Sequence, residues 1–234
     1  MLTPDFWKKY FTVYDTLNRA PAYTDFIDDV LKVVDPKPGE KILDAGIGTG
    51  NLAVKMAERG AIVTGIDFSP VALAIAKKKI PSLETHEVDL TKGLGKFEDN
   101  YFDVIVSSNV LYNIPRNQRD FVVKEFKRKL KPGGRIVLAN VLRDFSPIKI
   151  FFSSFKTAIS RWGLVRAIFF VIESIPATTR IFMYNNKIKR NYSSEKNIFS
   201  PNEQNKLMLK YFVIKYHLVS YAGQAEIDAG VIET

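Results

Sequence analysis

The chain has 234 residues, 46% of them hydrophobic and 25% charged, with a formal net charge of +9. That length supports one large domain with a full core. The absence of cysteine excludes disulfides, thiolate nucleophiles and cysteine metal sites, and the two histidines, His86 and His217, stand too far apart in sequence to suggest a metal site.

In chain order, Met1-Leu2-Thr3-Pro4-Asp5 lacks the charged-then-apolar layout of a signal peptide. Residues 5–35 read as helices, apolar at Phe6, Tyr10, Phe11, Tyr14, Phe26 and Val30, with Pro21 at a helix boundary. Pro36-Lys37-Pro38-Gly39 is a turn. Ile42-Leu43 then begins an alternation. Strands are predicted at 61–66, 85–88, 102–107 and 135–140, and helices at 52–59, 70–79 and 119–130, the last closed by Lys131-Pro132-Gly133-Gly134. Such alternation implies an α/β fold with a parallel sheet covered on both faces. The uninterrupted Val104-Ile105-Val106 fits a strand buried on both sides.

After the fifth strand the pattern breaks. From Pro147, apolar residues fall at Phe151, Phe152, Phe155, Ala158, Ile159 and Trp162. Lys149, Ser153, Lys156 and Ser160 fall on the other side of the same helix. Gly163 interrupts it, and a second apolar stretch from Leu164 is predicted to end at Pro176. Within it, 167–172 is the longest clean apolar run near the middle of the chain, too short to span a bilayer. Residues 212–219 and 225–233 read as two further strands turning at Gly223-Gln224.

The stretch Lys41-Ile42-Leu43-Asp44-Ala45-Gly46-Ile47-Gly48-Thr49-Gly50-Asn51 carries the chemistry. It is a strand ending in an acid, a glycine-rich turn and a helix start. The glycines permit a tight turn and close approach to a ligand. A phosphate cradle would avoid a carboxylate there; Asp44 suits a ligand with positive charge or hydrogen-bond donors. The second strand ends in Asp67, about 20 residues on, where an acid takes ribose hydroxyls. Asp89-Leu90 follows the third strand and Ser108-Asn109 the fourth. Three acids at three successive strand ends, in register with the glycine turn, point to a nucleoside-containing cofactor.

The pattern Asp44-x-Gly46-x-Gly48-x-Gly50 resembles the first motif of the class I S-adenosylmethionine-dependent methyltransferases. Gly65-Ile66-Asp67-Phe68-Ser69-Pro70 is similar to the second motif of that family. Asp89-Leu90 stands at its adenine-contacting acid, Phe102–Ile105 with Asn109–Leu111 looks like its fourth motif, and Leu130–Gly134 like the approach to its fifth strand. The likeness covers roughly residues 36–140.

It implies a Rossmann-like, doubly wound, mostly parallel seven-stranded sheet, with an antiparallel C-terminal edge hairpin and a helical insertion after strand five. It implies one methyltransferase domain over 1–234: N-terminal helices and lid (1–35), cofactor-binding core (36–142), helical lid or substrate insertion (143–210) and C-terminal strands (211–234). The cofactor implied is S-adenosylmethionine, with in-line displacement of its methyl group and no metal. Residue by residue, Gly46, Gly48 and Gly50 wrap the methionine moiety and ribose, and Asp44 faces the amino group. Asp67 takes the ribose hydroxyls and Asp89 the adenine amino group. Phe68 and Leu90 sandwich the ring, and Asn109 borders the methionine end. Tyr14 is either a lid tyrosine or a core aromatic. Tyr112, where many relatives carry histidine, is either a substrate-facing polar group or a buried aromatic. His217 reads as a satisfied structural histidine.

Residues 143–210 hold twelve Lys/Arg against four acids, nearly the whole excess charge. A basic, aromatic-rich amphipathic helix suits an anionic membrane surface, or serves as a lid alone. The layout is similar to the quinone C-methyltransferase and phospholipid N-methyltransferase branches, which implies a small-molecule or lipid-like acceptor. A cytoplasmic protein peripheral to the membrane is expected. The alternative, a nucleic-acid (RNA) methyltransferase whose basic segment tracks phosphates, is disfavoured because no Pro-Pro pair follows strand four.

Overall fold

One seven-stranded sheet organises the computed structural model, which describes residues 4–16, 20–191 and 198–233. Its strands are β1 (Lys41–Ala45), β2 (Ile62–Asp67), β3 (Glu84–Glu87), β4 (Phe102–Ser108), β5 (Leu130–Val141), β6 (Val213–Ser220) and β7 (Ala225–Val231). The order is β3-β2-β1-β4-β5-β7-β6. β1 to β5 pair in parallel, whereas β7 runs antiparallel to both β5 and β6. The chain reverses its direction of strand addition between β1 and β4, so the crevice beyond their carboxyl ends is the topological switch point.

The apolar runs are continuous because both faces are covered. Ile42, Val63, Val104, Val106 and Val137 join a core with Phe26, Val30, Leu52 and Met56, from α2 (Pro21–Val34) and α3 (Asn51–Glu58). Their neighbours Leu43, Ile66, Ile105, Ile136 and Leu138 turn to the other face, against Val122 and Phe126 of α5 (Arg116–Lys129). α4 (Pro70–Lys79) begins with Ser69, whose hydroxyl accepts from the Ala72 amide at 3.4 Å, and ends in three lysines, as the helix dipole favours.

Two local expectations shift. The Lys131–Gly134 stretch, expected to close the preceding helix ahead of the fifth strand, lies within β5. Leu130 pairs with Phe102, the register slips, and Arg135 resumes opposite Val104. The irregularity admits Pro132, which has no donor for the ladder. α5 also starts at Arg116, three residues before its predicted start.

α1 (Pro4–Tyr14) precedes α2, and the insertion forms α6 (Pro147–Trp162) and α7 (Leu164–Asn191). Ser146 caps α6 by accepting from the Lys149 amide at 3.4 Å, and Gly163 (φ +81°) breaks the helix. Beyond that break the expectation is corrected: Pro176 lies inside α7, which runs on to Asn191. Proline cannot donate to the Ile172 carbonyl, but the Thr179 hydroxyl donates to the carbonyls of Ile175 and Pro176 at 3.0 Å, so the next turn keeps its partners. The short helix α8 (Glu203–Met208) leads into the β6–β7 hairpin, which turns at Tyr221-Ala222-Gly223 with all three φ angles positive.

Candidate active site

Asp44 is the penultimate residue of β1, opposite Gly65 on β2 and Val106 on β4. The turn after it is held by Gly46 and Ile47 amides, which donate to the Ile66 carbonyl at 2.8 and 2.9 Å. Gly46 adopts φ +87°, and a Cβ there would sit 2.1 Å from Val110 Cγ2, so only glycine fits against the loop after β4. Gly48 (φ +54°) has nothing within 4 Å of its Cβ position, leaving its backbone face open.

Asp67, at the end of β2, grips this turn. Its Oδ2 accepts from the Gly48 amide and its Oδ1 from the Ser69 amide, both at 2.9 Å. Burial pushes its carboxyl up, and those amide donors pull it back. Asp44 has no such help: it is 3% exposed and its Oδ2 has no partner. Burial, and secondarily the Asp67 carboxylate, pushes its carboxyl up to about 7. A buried carboxylate oxygen left without a donor, beside an open glycine backbone, fits a ligand carrying a cationic donor at that spot.

The other predicted residues are distributed as follows. The Phe68 ring is 58% exposed at the rim, whereas the Leu90 side chain lies in the core under the sheet. Asp89 caps the short turn at Leu90–Lys92. Its Oδ1 accepts from the Thr91 amide (3.0 Å) and hydroxyl (2.7 Å), and the hydroxyl above all holds the carboxyl below its ordinary range. Asn109 sits at φ +58°, with its amide donating to the Ala139 carbonyl (2.7 Å) and its Oδ1 accepting from the Val141 amide (3.2 Å), so its side chain is tied to β5.

Tyr14 packs among aromatics: its ring centroid is 5.6 Å from Tyr10 and 6.1 Å from Tyr23. Tyr112, half-buried in the turn Leu111–Asn113, and Tyr221, in the β6–β7 turn, belong to the same cluster, since these tyrosines act on one another electrostatically. Burial raises all five hydroxyls, so at neutral pH they are donors and not bases. His217 is paired as a structural histidine, Nδ1 to Asp228 Oδ1 at 2.7 Å.

Sequence reasoning missed the strap that ties α1 to the glycine turn. Asp15 Oδ1 accepts from the Thr49 hydroxyl at 2.6 Å, and Lys79 pairs with the same carboxylate at 2.9 Å while donating to Asn51 Oδ1 at 2.7 Å. Asn51 in turn donates to the Tyr23 hydroxyl at 3.4 Å. A lone Asp within a predicted helix carries no signal of a partner 34 residues away.

Residues 43–138 match the family described as "Methyltransferase domain". That stretch is similar to methyltransferase domains. Its boundaries take in Asp44, the glycine turn, Asp67, Asp89 and Asn109. Demethylmenaquinone methyltransferases of Bacillus cereus (strain AH187) and Bacillus anthracis (strain CDC 684 / NRRL 3495) are 32% identical to this chain over 143 residues. The match takes in 57% of this chain and 59% of each relative, so the chain spans under two-thirds of the length of the relatives it matches.

Among solved structures, a TehB-like SAM-dependent methyltransferase from Corynebacterium glutamicum superposes with a TM-score of 0.65 at 16% identity, covering 99% of this chain and 100% of that one. The N-methyltransferase NodS from Bradyrhizobium japonicum, in complex with S-adenosyl-L-homocysteine, gives 0.63 at 14% identity, covering 93% and 91%. At those identities the likeness establishes the fold, and the chain has the sheet order and C-terminal antiparallel strands expected of it.

Proposed function

We propose that the chain is an S-adenosylmethionine-dependent methyltransferase acting on a small, lipid-like acceptor, cytoplasmic and peripheral to the membrane. The observation that carries the cofactor is Asp44, whose buried, partnerless oxygen beside the glycine turn demands a cationic or donor group. The cofactor would supply a methyl group already activated on a sulfonium, so the protein's task is orientation and exclusion of water.

The chain's own residues divide that task. The backbone of Gly46, Gly48 and Gly50 lies against the methionine moiety and ribose, with Asp44 facing the amino group. Asp67 accepts from the Gly48 and Ser69 amides, and its carboxylate would take the ribose hydroxyls as well. Asp89 Oδ2, which pairs loosely with Lys92 Nζ at 3.6 Å, would accept from the adenine amino group. Phe68 offers the exposed ring face, and Leu90 closes the other side from the core. Asn109 shapes the methionine end through its backbone, since its side chain is committed to β5. Tyr14 and Tyr112 stand on the acceptor side as neutral hydroxyl donors.

Two features support a lipid-like acceptor: the aromatic lining of that side, and the likeness to proteins named as demethylmenaquinone methyltransferases. The test uses methyl-labelled S-adenosylmethionine with a demethylated quinone, phosphatidylethanolamine or RNA. Label in the organic phase, lost in Asp44→Asn, is the expected result. Label in RNA, or none in any acceptor, would overturn the reading.

A further inference from the structure

α6 and α7 are amphipathic in the reverse sense from an ordinary surface helix. Their inward positions are small: Ser154 and Ala158 face α2, with the Ser154 hydroxyl accepting from the Ala22 amide at 3.3 Å, and Ala167 is fully buried. Their outward positions are large and apolar. Ile148, Phe152, Val165, Phe169, Ile172 and Met183 are each 57–68% exposed. On α7 this stripe runs from Leu164 to Met183, a length of about 30 Å at the α-helical rise. It far exceeds the scattered apolar exposure of an ordinary surface.

We propose that this outer face of α6 and α7 docks onto an anionic bilayer surface, with both helices lying in the plane of the interface. The inference rests on the lipid-like acceptor reading for its purpose, though not for its physics. Charge selects the occupant. Residues 147–187 hold six basic side chains and one acid, Glu173. Arg161 is spent on Asp25 (2.6 Å) and Lys187 lies over the Phe6 ring (5.4 Å). Lys149, Lys156, Arg166 and Arg180 are exposed and form no ion pair among the described residues. Lys149 and Lys156 are seven residues apart on α6. Arg166, Glu173 and Arg180 repeat every seven residues along one edge of the α7 stripe, which places cations at the rim of an apolar face.

A second copy of this chain would bring the same cationic rim against itself in a two-fold interface. An anionic lipid surface complements it. No helix among the described residues is long and apolar enough to cross a membrane, which leaves the in-plane mode. The position serves the site: the inner side of α7 meets α1 through Tyr184, whose ring is 5.4 Å from Phe6 and 6.2 Å from Tyr10, and α1 is strapped to the glycine turn. An acceptor leaving the bilayer beneath α7 would meet the tyrosine cluster first.

The test is co-sedimentation with vesicles of phosphatidylcholine alone and with added phosphatidylglycerol. Cofactor titration and circular dichroism of every variant serve as folding controls. Wild type should bind only the anionic vesicles, less as salt rises. The pair Phe169→Glu and Ile172→Glu should cut partitioning about tenfold or more, and Arg166→Glu with Arg180→Glu should remove the salt-sensitive part, with cofactor affinity unchanged throughout. Wild type ignoring all vesicles would overturn the proposal. So would stripe variants that bind as wild type, or a dimer seen by light scattering that Ile172→Glu dissolves. Vesicle binding without methyl transfer to any lipid-soluble acceptor would leave docking standing and remove the acceptor reading.

Discussion

Asp44 is the residue on which the site turns, and its burial makes the free protein sensitive to pH. Its carboxyl titrates near 7 in the folded chain against an ordinary value of 3.8. The folded state therefore holds that proton longer than the unfolded chain does. Its contribution to stability falls as pH rises from about 4 to about 7, and the penalty is complete above that. At about 1.4 kcal/mol per unit the penalty is of the order of 4 kcal/mol. Relative to Asp44→Asn, the melting temperature of wild type should drop by several degrees between pH 5 and pH 8, at about 2–4 °C per kcal/mol for a chain of this size. Parallel pH curves for the two proteins would mean that Asp44 is already ionised in the free fold. A cationic ligand favours the ionised form, so cofactor affinity should climb from pH 5 to about 7 in wild type and stay flat in Asp44→Asn. The neighbouring Gly46→Ala should lower stability by about 1–3 kcal/mol and abolish binding, since the new Cβ meets Val110 in a left-handed conformation. Unaltered melting and binding would show that the turn rearranges freely.

At the scale of elements, a strap of polar contacts joins the end of α1 to the glycine turn. Asp15→Ala removes the acceptor of both Thr49 and Lys79. Amide exchange over α1 should then accelerate while β1, β4 and β5 keep their protection, and the cofactor should dissociate faster. Unchanged exchange in α1 would assign its docking to the aromatic contacts alone. The strands were legible because a sheet covered on both faces needs runs such as Val104-Ile105-Val106, and the acids of the site were legible because strand ends and glycine turns are punctuated in sequence. What followed Pro176 was not: a proline ends most helices, and only the surrounding turns reveal that α7 continues. Which apolar residues of α6 face out was not legible either: the close approach to α2 admits Ser154 and Ala158, so Ile148 and Phe152 are exposed while Phe155 is half-buried. The commitments of the Asn109 side chain to β5 and of Asp89 to Thr91 depend on backbone geometry that spacing does not encode.

Across the whole molecule, charge and chemistry are separated. The excess of +8 over residues 143–210 is carried on and around the inserted helices, while the strand-end acids gather at the switch point of the sheet. A cationic cofactor and an anionic surface thus have distinct places to go. The most direct test of the central claim is calorimetric titration of the full chain with S-adenosylmethionine, S-adenosylhomocysteine and NAD, repeated on Asp67→Ala. One site is expected for the two adenosyl ligands and none for NAD. In Asp67→Ala, affinity should fall by about 1.5–3 kcal/mol, roughly 10- to 150-fold, because a charged acceptor is lost. Tight NAD binding with no adenosyl signal, or an Asp67→Ala variant that binds as wild type, would contradict it.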